Sequence, residues 1–92
     1  MSAPRLRLFV AGGNPRSLRV IEAVRALCQS RAGMAAELEV VDIYQQPELA
    51  ERDRVLAAPT LLRLSPLPER RLVGDLSDEA RLLALLAEPE EA

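Results

Sequence analysis

Side chains able to do chemistry are few in this chain and badly placed for it. It contains no histidine and one cysteine, Cys28. Without imidazole the commonest acid-base group and metal ligand is missing, and a lone thiol can form neither an internal disulfide nor a C-x-x-C redox pair. Ser17 lies in "AGGNPRSL", residues 11–18, where an apolar run gives way to a helical pattern. A serine nucleophile needs an adjacent base, and with no histidine to activate it Ser17 reads as ordinary first-turn capping chemistry. The carboxylates are scattered rather than set at a ligand spacing. Asp42 and Asp75, each closing an apolar run, suit turn caps or pairing with arginine. No catalytic residue, metal site or cofactor is expected.

What the chain does carry is arginine. All 12 of its basic residues are Arg and none is Lys, against 14 acidic residues and a formal net charge of -2. That balance argues against nucleic acid as a partner, since phosphate-backbone binders show a basic excess. The Arg fork suits specific carboxylate contacts at a protein surface.

With 92 residues and 49% hydrophobic content, the chain is expected to be one domain over residues 1–92, with no room for a second core. A domain of this size buries only a little more than ~60% of the surface its unfolded chain exposes, so self-association or partner binding is plausible on physical grounds. The apolar core of residues 1–12 is too short for a signal peptide and no run approaches a membrane span. A cytoplasmic protein without membrane contact is expected.

The elements that must position these residues follow from periodicity. Residues 5–11, "RLRLFVA", alternate Leu6 and Leu8 with Arg5 and Arg7 before turning fully apolar, the pattern of a strand entering a sheet. Gly12 and Gly13 break it; Asn14 is a good N-cap and Pro15 suits the first helical position. Leu18, Ile21, Val24, Leu27 and Cys28 then predict an apolar helical stripe, with Arg16, Arg19, Glu22 and Arg25 opposite. On that stripe Cys28 behaves as a small hydrophobe.

After a loop around Gly33, residues 37–44 are rich in β-branched side chains and predict a second strand, parallel to the first because a helix joins them. Residues 45–57 predict a short second helix beginning at Pro47 and ending near Ala57. Pro59 opens a third strand through Leu64, and "RRLVGD" after the Pro-rich turn is a fourth, antiparallel to it. Ser77 is the expected N-cap of a last helix whose apolar face is Leu82, Leu83, Leu85 and Leu86. Residues 88–92, "EPEEA", read as a frayed acidic tail. The order βαβαββα with a mixed four-stranded sheet is the thioredoxin-like α/β plan. Its strand-helix junction, "GGNPRS" here, is the place where such proteins carry redox cysteines.

"LFVAGGNPRSLRVI", "VVDIYQQPELAERDRVLAAPTLLRL" and "RRLVGDLSD" resemble the KaiB family of small circadian-clock proteins. The signatures A-G-x-x-P-x-S, V-D-x-x-x-x-P-x-L-A and A-P-T-L followed by R-R-x-x-G-D-L-S occur in that order and span most of the chain. The resemblance implies a protein without enzymatic activity that binds the ATPase ring of KaiC or a KaiC homologue, with KaiA as a further partner of clock members. It also implies two folds for one sequence: a thioredoxin-like monomer competent for KaiC, and a ground state of order βαββααβ that forms tetramers. Pro59 falls at the cis-proline position of thioredoxin-like folds. Arg16, Arg19 and Arg63 match a basic partner face. Glu39 departs from it, standing where clock members carry a basic residue on the second strand.

The last segment departs too. Clock-type members carry Gly and Asp in a G-L-D-L-L run where this chain has Leu85 and Ala87. Replacing an interior Gly stabilises a helix by up to ~1 kcal/mol, with about half as much again from Asp to Ala. Since ~1.4 kcal/mol is tenfold in population, the thioredoxin-like monomer is expected to dominate in a divergent paralogue. Two other readings follow from the same fold: a thiol-dependent enzyme of thioredoxin or glutathione-transferase descent, and a detached sensor domain resembling that of the histidine kinase SasA.

Overall fold

In the computed structural model, residues 3–30 and 34–87 are described. The expected loop around Gly33 and the acidic tail 88–92 lie outside them. The described elements run β1 (Arg5–Val10), α1 (Pro15–Gln29), β2 (Glu37–Asp42), α2 (Pro47–Arg52), β3 (Thr60–Ser65), β4 (Arg70–Val73) and α3 (Glu79–Ala87). This is the βαβαββα order expected from the sequence. The sheet runs β2-β1-β3-β4, with β1 parallel to β2 and antiparallel to β3, and β3 antiparallel to β4.

Strand alternation sends successive side chains to opposite faces, and each face has its own core. Leu6, Leu8, Val10, Leu61 and Leu72 pack with Val24 and Cys28 of α1 and with Leu82, Leu85 and Leu86 of α3. Phe9, Val41 and Leu62 form a smaller cluster on the other side with Ala50 of α2. A strand in the middle of a sheet covered on both sides has no outward face, which decides the fate of β3 below.

Three local expectations are corrected. Leu18 does not join the buried stripe of α1: it is 52% exposed, while Ser17 is buried in its place. The first turn is phased by its cap, the Asn14 side chain accepting the Ser17 N–H at 2.9 Å, which turns Ser17 inward and Leu18 outward.

The second helix ends at Arg52 rather than near Ala57. Arg54 takes a left-handed φ of 55°; its N–H bonds to Glu51 O at 3.1 Å and the Val55 N–H to Ala50 O at 2.8 Å. That is the double closure of a Schellman stop, here built without glycine. The guanidinium of Arg71 seals it, donating to Asp53 O at 2.7 Å and Arg54 O at 3.0 Å.

The N-cap of α3 is Asp78, not Ser77. The Asp78 carboxylate accepts the Arg81 N–H at 3.3 Å and its carbonyl accepts the Leu82 N–H at 3.1 Å. Ser77 instead donates its N–H and hydroxyl to Asp75, whose carboxyl is held below its ordinary pKa chiefly by those two hydrogen bonds.

A candidate partner-binding surface at the start of α1

The junction between β1 and α1 is tied down on both sides. Asn14 Nδ2 donates back to Ala11 O at 3.0 Å while its oxygen caps the helix, and Pro15 occupies the first helical position. Gly12 has φ +81°, and a Cβ there would sit 3.5 Å from the Tyr44 ring. Asp42 at the end of β2 accepts the N–H of Gly12 at 3.2 Å and that of Tyr44 at 2.9 Å. One carboxylate thus joins the ends of the two parallel strands.

On this scaffold Arg16 and Arg19 are exposed. Among the described residues neither forms an ion pair. Beside them a hollow of about 120 Å³ opens between α1 and Ala58–Pro59. The Ala58–Pro59 peptide bond is cis, as are Ser65–Pro66 and Leu67–Pro68. The structure therefore brings Asn14, Pro15, Arg16, Arg19 and Pro59 to one end of the sheet.

Glu39 lies apart, on edge strand β2 opposite Arg7 in the register. Arg7 Nε donates to Glu39 Oε1 at 2.7 Å, and Arg7 Nη1 to Asp53 Oδ2 at 2.8 Å. Burial alone would lower the pKa of Arg7, but its hydrogen bonds and the two carboxylates outweigh that and raise it. Glu39 is thus an outward charge already shared with its neighbour strand. Nothing in the pattern of β1 marked Arg7 as the centre of this network, because alternation alone reads it as a solvent-facing residue.

Arg63 is a correction. The family resemblance matched it to a basic partner face, yet it has no solvent exposure. Its guanidinium donates to Leu85 O at 2.9 Å and to Pro68 O at 2.8 Å, joining β3, the β3–β4 turn and the last turn of α3. The reason is strand order: β3 is central, so either side of it is interior. Leu85 is buried in the main core, and Ala87 is the last residue of α3. Cys28 is buried, and burial pushes its thiol up, with Arg25 opposing weakly.

The KaiB domain profile matches residues 7–87. The chain belongs to the KaiB family. Circadian clock oscillator protein KaiB of Synechococcus sp. (strain RCC307) is 44% identical over 78 residues, 85% of this chain and 71% of the relative. The protein of that name from Prochlorococcus marinus (strain MIT 9312) is 42% identical over 78 residues, 85% and 74% of the two chains. Among solved structures, the N-terminal domain of Synechococcus elongatus SasA superposes with a TM-score of 0.77 at 28% identity, covering 100% of this chain and 90% of that one. A thioredoxin of Malassezia sympodialis superposes with a TM-score of 0.70 at 17% identity, over 91% of this chain and 75% of that one. That likeness shows the fold alone. This KaiB-family chain has the thioredoxin-like fold of the SasA domain, and among its described residues no helix is long and apolar enough to cross a membrane.

Proposed function

We propose that this KaiB-family protein is a non-enzymatic regulator that binds the ATPase ring of KaiC or a KaiC homologue, acting as a thioredoxin-like monomer. The observation that carries the reading is the junction at the start of α1. It keeps the cap and proline of a thioredoxin-like helix start but presents Arg16 and Arg19, exposed and outside any ion pair among the described residues. Exposed arginines on a helix start whose backbone is fixed by its cap suit recognition of carboxylates on a partner.

Cys28 weakens the thiol-enzyme alternative. The reactive species is the thiolate, and a buried thiol with a raised pKa is a poor source of it. The SasA-domain likeness favours a second reading, a sensor-type module for the same kind of ring. Recruitment of KaiA to the complex marks the regulator, and ring binding without it favours the sensor.

The test is size-exclusion co-elution with the KaiC homologues of the source organism, for the native chain, the double variant Arg16→Glu/Arg19→Glu, and Glu39→Lys. Native co-elution that the double charge reversal weakens by tenfold or more, about 1.4 kcal/mol or more, supports the surface. Failure of every variant to bind any homologue removes the reading. Tighter binding by Glu39→Lys assigns β2 to the same interface.

A further inference from the structure

We infer that the flank of α1 facing α3 is a docking groove for an amphipathic helix of a protein partner, acidic at the end that meets Arg16 and Arg19. The groove is continuous. The hollow beside Ala58–Pro59 shares Arg16, Val20 and Pro59 with a second of about 360 Å³. That one shares Ala23, Leu76 and Ser77 with a third of about 660 Å³ extending to Ser30 and Leu82.

Its floor and rim suit a helix rather than a small molecule. Leu76 and Leu82 are buried beneath it, with Val20 and Leu27 partly buried along its side. The rim is built from small side chains: Ala23, Ala26 and Ser77 are all exposed. Gly74, on the wall opposite Arg16, would meet nothing within 4 Å even if it carried a Cβ. Small rims over an apolar floor let a second helix come close and seat side chains spaced three and four apart. The 15 residues of α1 extend about 22 Å at 1.5 Å per residue, enough to flank a partner helix of three to four turns.

Charge sets the direction. Arg16 and Arg19 stand at one end, outside any ion pair among the described residues. Asp75, which lines the same hollow, is held chiefly by Ser77 within its own turn, with Arg81 and Arg16 attracting it more weakly. Glu79 lies at the other end. Among the described residues that line the groove, the cations stand at the Arg16 end, where a partner carboxylate would meet them.

The inference goes beyond the ring-binding reading and is tested without the ring. The uniformly labelled full chain is titrated, by NMR, with a synthetic amphipathic helix of about 14 residues. The peptide carries a Leu and Ala face and two Glu in one terminal turn; a control peptide carries Lys in their place. Saturable shifts at the amides of Ala23, Ala26 and Ser77 are expected, with affinity at least about tenfold weaker for the Lys peptide and for Arg16→Ala/Arg19→Ala. Ala23→Gln, at an exposed helical site that leaves the fold intact, should abolish the shifts. No saturable shift at millimolar peptide, shifts centred elsewhere, or equal affinity for the Lys peptide would overturn the proposal.

Discussion

A guanidinium cut off from solvent must find its acceptors within the protein, and those of Arg63 include the carbonyls of Pro68 and Leu85. The Leu85 carbonyl is buried and would be stranded by a side chain unable to donate, and the part-buried Pro68 carbonyl would lose its partner as well. Leaving a buried acceptor unsatisfied costs about 1–3 kcal/mol, so Arg63→Met, which keeps most of the volume, should lower stability by roughly 2–4 kcal/mol. Urea denaturation followed by circular dichroism reads this as a lower midpoint with unchanged slope. A change under about 0.5 kcal/mol, the range of an ordinary surface substitution, would show that the clamp contributes nothing. Cys28 gives the second prediction at this scale. Its pKa is raised in the fold, so burial of the neutral thiol stabilises fully below the unfolded thiol pKa and is lost as pH rises through the folded one. Reaction with a disulfide reagent near neutral pH should be at least about 100-fold slower in the native protein than in urea, because attack needs an exposed thiolate. Comparable rates would mean that the thiol is open to solvent and would revive the enzymatic alternative.

At the scale of elements, the stop of α2 shows how far local sequence reaches. Helix and strand types, their order and the capping of α1 by Asn14 and Pro15 were legible because each depends on residues within a turn of one another. The stop at Arg52 was not. It uses a left-handed residue that is not Gly and an Arg71 clamp delivered by a strand 17 and 18 residues away. Arg63 failed as a surface prediction for a related reason: whether a polar residue in a strand meets water depends on strand order, which periodicity does not contain. The same Schellman geometry yields a prediction. A non-glycine residue in the left-handed region costs about 1–2 kcal/mol, part of which is offset by the extra freedom of Gly in the unfolded chain. Arg54→Gly should therefore raise stability by about 0.5–1 kcal/mol in the same urea experiment. A loss would mean that the Arg54 side chain makes a compensating contribution.

For the molecule as a whole, the proposed preference for the thioredoxin-like state over any second fold turns on what α3 contributes to it. Helix propensity at Leu85 and Ala87 accounts for roughly 1.5 kcal/mol at most, but packing outweighs it. Leu85 is 7% exposed within the main core, and its carbonyl receives the buried Arg63. Removing a core Leu side chain costs about 2–5 kcal/mol, and Gly in a helix adds about 1. Leu85→Gly should thus cost the thioredoxin-like state about 3–6 kcal/mol, two to four orders of magnitude in population. A fold that competes within a few kcal/mol would surface in that variant. The native chain should run as a monomer by light scattering and show helical NMR shifts over residues 82–86. Leu85→Gly should lose those helical shifts, becoming either extended and tetrameric or unfolded. A native tetramer, or native shifts already extended over 82–86, would overturn the expectation that this chain rests in the partner-competent fold. A Leu85→Gly variant that stayed helical and monomeric would show that the core of α1, α3 and the sheet does not decide between the states.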